Sequence, residues 1–210
     1  MKKWECTVCG YIHEGDEPPD VCPICGAGKE YFKELVEDQS EVQQETAGTS
    51  SGPDASVKPA QDGDGPSGLA ALVLKHHLHP IMTHTPNGVL PMALIFLALG
   101  SVFGIAGFEM ASFFSFVFVL LAMPVVMLTG YLEWQHRYKG IKTKIFGLKI
   151  AASVVVLITL TAMVIWRIFD PGVAASANRW IYLLVGLILV GAVGLAGHMG
   201  GKLVFGTRDQ

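Results

Sequence analysis

Hydrophobic and polar positions divide the chain into stretches of different character. Residues 1–36 mix charged and apolar positions and crowd four cysteines into twenty residues, the mark of a compact module. Residues 37–68 run from Glu37-Asp38-Gln39-Ser40 to Gly63-Asp64-Gly65-Pro66-Ser67-Gly68 with almost no large apolar residue. Such a segment buries too little surface to offset its ordering entropy, so it is expected to be a disordered linker. About 32 flexible residues span roughly 30 Å, enough for the front module to dock on the rest of the chain and leave it. Residues 69–86 are apolar, then basic, and are expected to lie at a membrane interface. Beyond them, apolar runs fall at 87–107, 112–134, 145–168 and 180–204. Each is close to the ~20 residues that cross hydrocarbon as a helix, and helices satisfy their own backbone polar groups there. The pattern predicts four transmembrane helices within 87–206.

Composition sharpens this division. Most of the acidic charge and all four cysteines precede residue 69, so the hydrophobic fraction of 51% and the net charge of −3 average two unlike halves. No basic block points to nucleic acid. Met1-Lys2-Lys3 is followed by Trp4-Glu5-Cys6 where a signal peptide would turn apolar, so the front end is expected to stay where it was made. Arg137, Lys139, Lys142 and Lys144 fill the loop after the second apolar run, with Lys149 just beyond, whereas the loop after the first holds only Glu109. By the positive-inside rule both termini and this middle loop are expected in the cytoplasm of a bacterial or archaeal inner membrane. In that reducing compartment, paired cysteines bind metal in preference to forming disulfides.

The cysteines read Cys6-x-x-Cys9-Gly10-Tyr11 and, after twelve residues, Cys22-Pro23-x-Cys25-Gly26. Two Cys-x-x-Cys loops place four thiolates on one ion, and tetrahedral sulfur suits iron or zinc alike. The flanking residues separate the two. Trp4-Glu5 before Cys6, Ile12-His13-Glu14-Gly15, Pro18-Pro19 and the later Tyr31-Phe32 resemble the short rubredoxin-like domain found at the end of rubrerythrins. The resemblance implies a mononuclear Fe(Cys)4 site on Cys6, Cys9, Cys22 and Cys25 that cycles between ferric and ferrous. It makes His13 a surface residue, and Trp4, Tyr11 and Phe32 the small core. The fold class is then a small rubredoxin-like β module followed by an all-α transmembrane four-helix bundle.

Six histidines lie outside the module, at 76, 77, 79, 84, 136 and 198, and the predicted orientation gathers them all on the cytoplasmic side. Ionisable groups at membrane depth are functional candidates by default. Gly191, Gly194, His198 and Gly201 share one helical face, which suits a flat macrocycle with imidazole as axial ligand, or the close packing of two helices. Glu133 and His136 form Glu-x-x-His, a spacing used in di-iron bundles, although Glu133 and Arg137 also form an i, i+4 ion pair. His79-Pro80, His84 and Gly197-His198-Met199-Gly200-Gly201 resemble an uncharacterised bacterial family of four-helix membrane domains over residues 79–206. The resemblance singles out His79, His84 and His198.

Three functions fit this pattern. In the first, a cytoplasmic donor such as a rubredoxin reductase reduces the iron module, which passes the electron to haem b held by His198 with His79 or His84. A quinone or a membrane redox complex then accepts it. In the second, the chain is an oxidoreductase with non-haem iron or di-iron among His79, His84, Glu133, His136 and His198, acting on oxygen, peroxide or nitric oxide. In the third, the helices anchor a metal module for sensing or docking. Four helices are few to enclose a cofactor, which makes a homodimer an open expectation.

Overall fold

A computed structural model describes residues 2–35, 68–76 and 78–205. The linker expected over 37–68 lies outside the described residues apart from Gly68, as does His77.

The front module is a three-stranded antiparallel sheet. Strand β1 (Lys2–Cys6) lies between β2 (Ile12–Gly15) and β3 (Phe32–Leu35), with Trp4 opposite His13 on one side and Glu34 on the other. Three strands of four or five residues cannot enclose a core by themselves. The four cysteines, Val8, Tyr11 and Ile24 fill that role instead.

A short helix α1 (Leu69–Lys75) precedes α2 (Leu78–Phe103), α3 (Ala106–His136), α4 (Lys144–Phe169) and α5 (Arg179–Phe205). The last four are long and apolar enough to cross a membrane. They form a bundle around Leu90, Leu97, Phe116, Met123, Leu160, Met163 and Leu189. Outward-facing side chains are also apolar: Phe118, Leu121 and Ile158 are 58%, 73% and 63% exposed. Water would penalise such a surface, whereas lipid accepts it.

Helix α2 begins at Leu78, nine residues before the first apolar run, so His79 and His84 lie inside a spanning helix. The helix continues through the polar stretch Thr85-Pro86-Asn87-Gly88 and through Pro91. Pro80 sits in the first turn, where its missing N–H matters little. Around Pro86, Thr83 Oγ1 donates to the Pro80 carbonyl at 2.7 Å and Asn87 Nδ2 to the Thr83 carbonyl at 2.8 Å. Both bonds run back along the helix from its own polar side chains. At the opposite end of the bundle, Arg167 Nε and Glu109 Oε1 pair at 2.7 Å between α4 and α3.

The front module sits on the bundle. Thr143 Oγ1, in the loop between α3 and α4, donates to the Cys25 carbonyl at 2.7 Å. Val8, Ile24 and Ala27 join Tyr138, Phe146 and Leu203 in one buried cluster with the cysteines. The β module, the basic middle loop and the end of α5 therefore share one end of the molecule.

Candidate metal centre and adjoining membrane cavity

Each Cys-x-x-Cys-Gly segment folds into the same knuckle. Gly10 N–H donates to the Cys6 carbonyl at 2.8 Å, and Gly26 N–H to the Cys22 carbonyl at 2.9 Å. Both glycines adopt positive φ, +75° and +76°, which a side chain would resist. Backbone amides of Cys9 and Tyr11 donate to the sulfurs of Cys6 and Cys9; those of Cys25 and Ala27 donate to Cys22 and Cys25. The two halves of the site thus match turn for turn.

The four sulfurs lie within 4.8 Å of one another, with Cys6–Cys25 at 3.7 Å and Cys9–Cys22 at 3.6 Å. A tetrahedron with metal–sulfur bonds of about 2.3 Å has edges of about 3.8 Å, so the donor set fits a single thiophilic ion. The mutual electrostatics agree. Cys22 is held far below the usual thiol range, chiefly by Cys25, then Cys6 and Cys9. Cys9 is driven far above it, first by Cys22 and then by Cys25 and Cys6. Four crowded thiols resist ionising together until a cation compensates them.

Beneath this centre, all four spanning helices surround a cavity of about 640 Å³, a volume typical of cofactor sites. His79, His84, His198 and Glu133 line it, and His136 does not; His136 is exposed to the outside. These donors surround a space and do not meet at a point. Among the described residues, the cysteines are the one group of three or more His, Cys, Asp or Glu whose ligand atoms converge. Glu133 is buried, with Oε1 held by Arg137 Nη1 at 3.3 Å, so the i, i+4 ion pair forms.

His79 is the most constrained of these side chains. It is 8% exposed, and its Nδ1 lies 3.3 Å from Thr129 Oγ1. Thr129 gives its one hydroxyl hydrogen to the carbonyls of Val125 (2.9 Å) and Val126 (3.0 Å). With that hydrogen on the helix carbonyls the hydroxyl accepts from His79, which puts the imidazole hydrogen on Nδ1. Nε2 is left as a buried lone pair with no protein partner. Such an atom is unfavourable unless something binds it. A Cβ at Gly130 would sit 2.7 Å from His79 Cε1, so that glycine makes room for the ring.

On α5, Gly194 and Gly201 line the cavity, and a Cβ at either would meet nothing within 4 Å. Gly191, placed on the same face by its spacing, does not line it. Trp134, Tyr138, Phe146 and Leu203 belong both to the cavity wall and to the apolar cluster around the cysteines. These four side chains link the cluster around the metal centre to the cavity. Burial raises the Tyr138 phenol to about 12, so this wall stays uncharged at neutral pH.

Sequence reasoning did not identify Thr129, Gly130, Lys149 or this shared wall. Thr129 and Gly130 carry no local signal in an apolar helix. Lys149 carries one: an ammonium more than a turn inside a spanning helix is a site candidate in its own right.

Comparison with known proteins gives two adjacent family matches. Residues 4–33 match the model described as Rubrerythrin, rubredoxin-like domain, and residues 75–208 match Predicted membrane protein (DUF2231). The front module is 56% identical over 41 residues to reverse rubrerythrin-1 of Clostridium acetobutylicum, covering 20% of this chain and 22% of that protein. It is 46% identical over 54 residues to a rubredoxin of Peptoniphilus asaccharolyticus, covering 18% of this chain and 100% of that protein. An uncharacterized protein of Archaeoglobus fulgidus is 29% identical over 92 residues, covering 43% of this chain and 73% of the relative. No solved structure matches the chain.

Proposed function

The chain belongs to the family described as Predicted membrane protein (DUF2231) and carries a rubrerythrin-type rubredoxin-like domain, and from that premise we propose that it moves single electrons from its four-cysteine module to haem b held in the bundle cavity. A membrane-associated redox role follows from the two domains together. The haem reading is carried by one observation: Trp134, Tyr138, Phe146 and Leu203 are at once the packing surface of the metal centre and the wall of the cavity.

Cys6, Cys9, Cys22 and Cys25 would hold one iron. Haem, when bound, supplies a second one-electron centre. His79 would hold the haem iron through Nε2, a buried nitrogen with no protein partner, the form of imidazole that binds metal. His198 is the candidate for the second ligand, on the glycine-lined wall, with His84 one turn beyond His79 as the alternative. The open Cβ positions at Gly194 and Gly201 leave a flat surface for a macrocycle. Thr129 holds the ring orientation, and the uncharged aromatic wall keeps water from between the two centres. The basic loop bearing Thr143 faces the cytoplasm in this reading, so a cytoplasmic reductase supplies electrons and a quinone or membrane redox complex receives them.

Metal analysis and a visible spectrum of the full-length protein, expressed with adequate haem, test the reading. One iron bound by sulfur and one haem per chain are expected. A protein with iron in the cysteine site and no Soret band would sink the haem assignment. Gly130→Ala is a finer test. The added methyl displaces His79, and haem affinity should fall about 10- to 100-fold, the range for disturbing a ligand's support. The sulfur-to-iron bands should be unchanged.

A further inference from the structure

Among the side chains lining the cavity, Lys149 has no role in the electron path. It lies near the start of α4, inside a candidate membrane span, and reaches the cavity. No ion-pair partner lies within 4 Å of it among the described residues. Glu133, the carboxylate on the same wall, attracts Lys149 from beyond ion-pair distance and pairs instead with Arg137. An ammonium beside a largely apolar cavity is unfavourable unless an anion meets it. Its position is also defined. A Cβ at Gly200 would lie 3.9 Å from Lys149 Nζ, so the ammonium rests against α5 beside His198 and Gly201.

We propose that Lys149 receives a carboxylate on the edge of the flat ligand that His79 binds. This rests on the haem reading above and adds the acidic group of the ligand to it. The cavity presents three complementary features: a buried imidazole lone pair, glycine and apolar walls, and a cation near the glycine stretch of α5. A fatty acid or anionic lipid would satisfy Lys149 and leave His79 Nε2 bare. A macrocycle with a central metal and peripheral carboxylates answers both.

Titrating the full-length protein in detergent with haemin and with haemin dimethyl ester, whose carboxylates are blocked, tests this through Soret-detected affinity. The wild type should bind haemin about tenfold or more tighter than the ester, the preference one charge-assisted hydrogen bond provides. Lys149→Gln should weaken haemin about tenfold and leave the ester unchanged, and Lys149→Arg should restore the preference. The sulfur-to-iron bands report that each variant is folded. Equal wild-type affinity for both ligands would overturn the role of Lys149 while leaving haem binding intact. So would a Lys149→Gln variant that weakens both alike. A Soret band that stays at the position of the free ligand in detergent, with both ligands, would overturn the haem reading and this assignment together.

Discussion

Replacing His79 by alanine is expected to abolish Soret absorption of the purified protein while the cysteine site keeps its iron. Supporting groups around a metal ligand are worth about 10- to 100-fold in affinity, so removal of the ligand itself should exceed about 100-fold. The expectation rests on the tautomer. With the Thr129 hydrogen on backbone carbonyls, the imidazole hydrogen falls on Nδ1 and Nε2 is a buried lone pair with no protein partner. Added imidazole should restore the band in the alanine variant, because the space left by the ring is matched by the free ligand. A merely structural role for His79 would give no such rescue. His136→Ala is the contrast: that side chain is exposed and off the cavity wall, so its loss should leave the spectrum intact. A lost cofactor in His136→Ala would revive the Glu-x-x-His reading.

Replacing Cys22 by serine should have the other large effect: loss of iron and unfolding of the front module, with the spanning helices intact. The module has three short strands, and its interior consists mainly of the cysteines with Val8, Tyr11 and Ile24. Structural metal in comparably small domains contributes about 10–16 kcal/mol, more than so small a core supplies. The same change should free the module from the bundle, since Cys25 accepts from Thr143 and Val8 and Ile24 pack beside Tyr138 and Phe146 only in the folded knuckles. Metal content together with limited proteolysis checks both. The variant should lose iron and be cut within residues 2–35 while the region from 78 to 205 stays resistant. Reductase-driven reduction of the cavity cofactor should cease, and a small-molecule reductant should still reduce it. Retained iron with unchanged proteolysis would contradict the account of the module's core.

Local patterns carried the architecture. The cysteine knuckles are legible because two thiols, a glycine at positive φ and the amides around the turn lie within six consecutive residues. The spanning helices are legible because transfer into lipid is summed over contiguous side chains, independently of partners. The start of α2 was not legible. The helix continues through Pro86, Asn87 and Pro91, residues whose local preference is against it, inside a packed bundle.

The residues alone therefore determined the kinds of material present: a four-thiolate centre, a membrane-spanning half and a set of histidines toward one end. Tertiary structure decided which of them act together. His79 acquired a defined tautomer through Thr129, fifty residues away, whereas His136, on the same helix as Thr129, turned outward. Cys25 met Thr143 across 118 residues of chain, which joins the cluster around the metal centre to the cavity wall. Periodicity names the face a residue shares with its neighbours in the helix. What that face meets is set by the packing of four helices and a docked module, a long-range choice that no contiguous segment encodes.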